Sequence, residues 1–97
     1  MAPEVLKNKT LSKSSDVWSA AVVIYVLFQG KFPFEGEIDY DILQAIKAMD
    51  WSKEFSKAKW SHVSPEAKSF LQHCFKYDPN HRPSCAAMLK HPWLKNM

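Results

Sequence analysis

The apolar positions of this chain fall into one long run and several short periodic ones. From Val17 to Phe28 every residue but Ser19 is apolar or aromatic. On a helix this run covers the whole circumference rather than one stripe, and a helix apolar all round must be covered on all sides. Its β-branched residues would also suit a buried strand, but the run is long for one. The flanks decide for a helix. Ser14 or Ser15 can cap the start by accepting a bond from a free backbone N–H, and Gly30 can end it in the left-handed conformation. The predicted helix spans 15–29. The rest of the chain is too short to wrap it, which implies a partner layer that this sequence does not supply.

The shorter patterns also read as helices. Residues 2–6 suit one helical turn, with Pro3 early, where its missing N–H costs nothing. Residues 7–13 are polar and loop-like, and Gly30 to Gly36, with Pro33, reads as a turn. Ile42, Leu43, Ile46 and Met49 have amphipathic spacing in a predicted helix over 39–49, with Asp39 as its cap. Residues 50–63 are irregular, with Trp51, Phe55 and Trp60 as packing anchors. Ser64-Pro65-Glu66 supplies a cap, a first-turn proline and a carboxylate at the positive helix end. Phe70, Leu71, Cys74 and Phe75 form the apolar face that follows. Asp78-Pro79-Asn80 breaks this helix. Ser84 caps a last one through Met88-Leu89, which ends near His91-Pro92. Few alternating strand patterns occur. The expected class is all-α, with four to five helices around a central buried one.

Length and composition narrow the function. A chain of 97 residues is one domain or part of one, with a modest core. Only two glycines are present, against a glycine-rich phosphate loop. The net charge of +3 is spread over scattered lysines, which fits a solvated surface and not a nucleic-acid partner. The long apolar run falls short of the about 20 residues that span a bilayer, so no membrane partner is expected. With two cysteines and no secretory leader, the expectation is buried or reduced thiols in a cytoplasmic protein. Cys74, His81, Cys85 and His91 are unevenly spaced and lack paired ligand signatures, so no metal site is expected. Nothing positions a Ser–His–Asp nucleophile. Glu35, Glu37, Asp39 and Asp41 read as a solvated helix start.

Three strings carry more information: Ala2-Pro3-Glu4, Asp16-Val17-Trp18-Ser19 and His81-Arg82-Pro83-Ser84. In this order they resemble the C-terminal part of the eukaryotic protein kinase catalytic domain of the serine/threonine type, over essentially all of residues 1–97. Tyr25 to Phe34 resembles the stretch from the family's central helix into its Gly-x-x-Pro-Phe turn. Val26, Trp60 to Lys68 and His91-Pro92-Trp93-Leu94 resemble the calcium-dependent and calmodulin-dependent kinase group. Where the family usually has glycine, Ala21 stands.

The resemblance implies roles. Glu4 and Arg82 would form a buried ion pair that ties the end of the activation segment to the lower lobe. Asp16 would accept hydrogen bonds from the catalytic loop, and Trp18 would be structural. The family's phosphate loop, strand lysine, His-Arg-Asp and Asp-Phe-Gly are not in this sequence. No residue here is therefore expected to be catalytic or to hold a cofactor, although ATP and magnesium are implied for the parent. The expected partners are the remainder of the kinase domain, protein substrates and a second copy of the chain. The other reading is a non-catalytic docking or dimerisation module.

Overall fold

A computed structural model describes residues 2–8 and 12–95. Met1 and the middle of the expected 7–13 loop lie outside them. The described residues form α1 (Pro3–Asn8), α2 (Lys13–Gln29), α3 (Asp39–Ala48), α4 (Trp51–Phe55), α5 (Pro65–Cys74), α6 (Cys85–Lys90) and α7 (Pro92–Lys95). Two single 3-10 turns, Ala58–Trp60 and Pro79–His81, link them, and there is no strand among these residues. The all-α class holds, with more and shorter helices than the patterns suggested.

α2 starts two residues earlier than the capping argument placed it. Ser12, not Ser14 or Ser15, is its cap: in extended conformation, it accepts the Ser15 N–H at 3.3 Å. Ser14 and Ser15 are left inside the first turn, where they serve other contacts. At the far end Gly30 adopts φ 76°, and its N–H donates to the Val26 carbonyl. A left-handed residue is cheap only for glycine.

α3 begins at Asp39, but its cap position is Ile38, which makes no side-chain cap bond. The region expected to be irregular is ordered. Asp50 caps α4 by accepting the Lys53 N–H at 3.2 Å. Ser64 and Ser84 cap α5 and α6 as the sequence predicts, each accepting an N–H from three residues on. α7 follows α6 directly, because the His91 ring acts as a cap: its Nδ1 accepts the Trp93 N–H at 3.1 Å.

The molecule is a slab of 36 × 31 × 19 Å. A helix with its side chains is about 10 Å across, so this thickness admits only two layers. α2 packs against α5, α1 against α3, and α7 against α5 and α6. The core is aromatic. Trp18 and Trp60 are fully buried, and Trp51 stacks on Phe75 with centroids 4.8 Å apart. Trp93 meets Phe70 and Phe28 from α7.

The two-layer depth explains the burial of α2. Trp18, Ala21 and Tyr25 face the core, while Val23 and Leu27 on the other side are 59% and 81% exposed. A helix apolar all round is thus covered on one side only, as expected of a chain too short to wrap it. Both cysteines are free thiols, Cys74 buried and Cys85 exposed. Cys85 opens a short surface helix with no buried residue.

Candidate functional site

Two carboxylates, one half-buried and one buried, organise this fold. The first is Glu4, set in the first turn of α1. Seventy-eight residues downstream, the Pro79–His81 turn delivers Arg82 to it. Arg82 Nη1 donates to Glu4 Oε2 and Nη2 to Oε1, both at 2.8 Å. The pair is bidentate, the strongest geometry open to these groups. The other three guanidinium hydrogens are also used. Nε donates to the Lys76 carbonyl at 2.8 Å, Nη1 to the Ser14 carbonyl at 3.0 Å and Nη2 to the Tyr77 carbonyl at 3.2 Å. The guanidinium lies 5.0 Å over the Trp18 ring.

Arg82's side chain is 0% exposed and Glu4's is 13%. Ser15 Oγ donates a further bond to Glu4 Oε2 at 2.7 Å. Burial alone would push the Glu4 carboxyl up. The bonds from Arg82 and Ser15 overcome that and hold it at about 2. The arrangement is a clasp: it ties α1, the first turn of α2 and the loop after α5 to one another.

Asp16 and Trp18 take different positions. Trp18 is a core residue, stacked on Phe34 at 5.7 Å and edge-on to Phe75 at 4.9 Å. Its buried Nε1 has no acceptor among the described residues. Asp16 is exposed in the first turn of α2, and no partner holds its carboxylate among the described residues. Ala21, standing where the family has glycine, is fully buried.

The second carboxylate, Glu54, escaped sequence reasoning. It lies in α4, 5% exposed. Tyr25 Oη donates to its Oε2 at 3.0 Å and Trp60 Nε1 to the same oxygen at 2.9 Å. Lys57 and Lys59 Nζ each lie 3.1 Å from the carboxylate. Burial opposes its ionisation, but the bonds from Trp60, the two lysines and Tyr25 hold it at about 2. Burial and this same carboxylate push the Tyr25 phenol well above its ordinary value. The available signal was one glutamate among Trp51, Phe55 and Trp60, with lysines on its C-terminal side.

In both clusters the charged groups bond to protein partners: all five Arg82 donors are used, and Glu54 is met by Tyr25, Trp60, Lys57 and Lys59. Among the described residues, no group of three or more His, Cys, Asp or Glu is placed to hold a metal ion. No helix among them is long and apolar enough to cross a membrane.

Comparison with known proteins agrees with this architecture. The protein kinase domain family matches residues 1–94. The chain is 36% identical over 94 residues to the calcium/calmodulin-dependent protein kinase type II alpha chain of Drosophila melanogaster, covering 97% of this chain and 17% of that protein. It is 41% identical over 96 residues to calcium-dependent protein kinase 22 of Oryza sativa subsp. japonica, covering 99% of this chain and 16% of the relative. Among solved structures, a twitchin kinase fragment from C. elegans, described as autoregulated, superposes with a TM-score of 0.80 at 36% identity. That match covers 96% of this chain and 20% of the other. The chain thus spans 16–17% of the two curated relatives. With the Glu4–Arg82 clasp, the helical slab and these matches together, the chain belongs to the protein kinase domain family, corresponding to its C-terminal part and to the calcium- and calmodulin-dependent group.

Proposed function

We propose that this chain is the floor of a serine/threonine protein kinase whose whole domain moves the γ-phosphoryl group of ATP to protein hydroxyls. The chain itself carries no catalytic residue; it positions others. The observation that supports this is the clasp. Five guanidinium bonds tie α1, which carries the glutamate of the Ala-Pro-Glu motif, to the first turn of α2 and the loop after α5. A segment entering from upstream would therefore be anchored on a rigid base. Asp16, exposed and unpartnered among the described residues beside that base, is free to accept backbone N–H groups from a loop laid over it. Preorganised positioning of this kind is what phosphoryl transfer asks of a scaffold.

The test is a chimera. The corresponding segment of the Drosophila kinase is replaced by this chain, and phosphate transfer to a protein substrate is measured with ATP and magnesium. Transfer is expected from the chimera and none from the chain alone. Arg82→Ala and Asp16→Ala should each lower it. A folded, soluble chimera without transfer would overturn the scaffold reading. A second reading, a docking or dimerisation module, is favoured by the exposed Val23 and Leu27. It would be chosen if the chimera were inactive and the chain alone formed a stable dimer.

A further inference from the structure

We infer that the cavity between α3, α4 and the end of α5 is a binding site for a small amphipathic carboxylate, an anion with an apolar tail. The cavity measures about 570 Å³. That lies inside the range of about 300–1,000 Å³ typical of small-molecule sites. It is separate from both carboxylate clusters, since neither Glu4, Arg82 nor Glu54 lines it. The inference is independent of the proposed scaffold role.

The walls select an apolar tail. Trp18, Phe34, Trp51 and Phe75 supply ring surface, and Ile46 and Met49 close the α3 side. The rings brace one another: Trp51 and Phe75 are stacked at 8° between planes, and Phe34 meets Trp51 edge-on at 6.0 Å. Such a slot is preformed, so an occupant loses little to reorganisation.

The charges select an anion. Lys47 and Lys76 line the cavity and are both exposed, while no carboxylate lines it. A third cation is close: Lys7 Nζ lies 5.3 Å over the ring of Tyr77, another wall residue. A cationic amphiphile would meet like charges here, whereas a carboxylate at the mouth meets opposite ones. A second cavity is also lined by cations without a carboxylate, Lys13 and Arg82, but no aromatic ring lines it. The smaller cavity beside Glu54 is lined by charges of both signs.

The experiment uses decanoate as the probe, below its micelle concentration, with the ¹⁵N-labelled chain observed by NMR. Saturable binding is expected, with the indole N–H signals of Trp18 and Trp51 moving and those of Trp60 and Trp93 staying. Lys47→Glu with Lys76→Glu, both surface changes, should weaken binding by about tenfold or more, an effect that fades with added salt. Decyltrimethylammonium should bind at least as weakly as decanoate does to that double variant. The inference is overturned by decanoate shifts centred on Trp93 or on the Val23 and Leu27 methyls. It is equally overturned if both amphiphiles bind alike, if the lysine reversals change nothing, or if no saturation occurs. Movement of the Trp18 and Trp51 signals with protein concentration alone would assign the cavity to a second copy of the chain instead.

Discussion

Replacing Arg82 by alanine should cost a large share of the stability of this fold. The change removes five hydrogen bonds at once. It leaves the Glu4 carboxylate with only the Ser15 hydroxyl, and the Ser14, Lys76 and Tyr77 carbonyls without their donor. Breaking one side of a buried ion pair costs about 3–5 kcal/mol, because the remaining charge stays desolvated. A second route gives the same size. A carboxyl held at about 2 instead of its ordinary 4.5 contributes on the order of 3 kcal/mol at neutral pH. A domain of this length has roughly 5–15 kcal/mol in all.

The assay is urea unfolding at one fixed protein concentration, on the parent, Arg82→Ala, Glu4→Ala and the double variant. The double variant should be little worse than either single one, with a coupling of about 2 kcal/mol or more. Arg82→Lys should rescue only part of the loss, since an ammonium has three donors and no planar fork. The pH dependence follows in sign. Glu4 is depressed in the folded state, so its contribution is complete above about 4.5 and disappears as pH falls towards about 2. Arg82→Ala should flatten that part of the acid profile. Losses that add within about 0.5 kcal/mol would show that the two residues act separately, and the clasp argument would fail.

The second carboxylate gives a parallel test. Glu54→Ala strands the Tyr25 hydroxyl and the Trp60 indole, each worth about 1–3 kcal/mol when buried and unpaired, while Tyr25→Phe should cost about 1 kcal/mol. Equal losses for the two in urea would argue against the network. The thiols should separate: exposed Cys85 reacts with a disulfide reagent in the folded chain, whereas Cys74, pushed up to about 12 by burial against the partly offsetting charge of Arg82, reacts only on unfolding. Two fast thiols per chain would contradict this packing. The chain alone should self-associate through the outer side of α2, and Leu27→Glu, at a site 81% exposed, should abolish it in light scattering without loss of helix by circular dichroism. Unchanged association in Leu27→Glu would move the interface elsewhere.

Much of this fold is legible because local chemistry suffices for it. Ser64, Ser84 and Gly30 announce helix ends through atoms no more than a few residues away. The errors come where several residues compete for one role. Ser12, Ser14 and Ser15 can all cap α2, and only the position of Glu4 shows why Ser15 is used elsewhere. The Glu4–Arg82 pair was legible through motif resemblance alone, since no spacing rule links residues 78 apart in sequence. Glu54 had no motif to announce it. Its burial depends on Tyr25, 29 residues away, and on two lysines that on sequence grounds read as solvated.

The two carboxylates gain a common meaning from where they meet α2. At its N-terminal end, Ser14 and Ser15 bond to the Arg82 and Glu4 side chains. Near its C-terminal end, Tyr25 bonds to Glu54, and Gln29 donates to the Lys59 carbonyl at 3.2 Å. Apolar packing alone would let a helix this uniformly hydrophobic rotate or slide, because Val, Ile, Leu and Phe offer similar surfaces at every angle. Directional bonds at both ends remove that freedom. They fix which side carries Trp18, Ala21 and Tyr25 inward and which carries Val23 and Leu27 outward. On this argument the polar pins serve register more than net stability, a use for which buried ionic groups are well suited. It also follows that loosening either pin should change which α2 residues are exposed before it unfolds the chain. Hydrogen exchange along α2 in Arg82→Ala and Glu54→Ala reads this directly. Faster exchange spread evenly over the whole molecule, with none localised to α2, would leave the pins as ordinary contributors to stability.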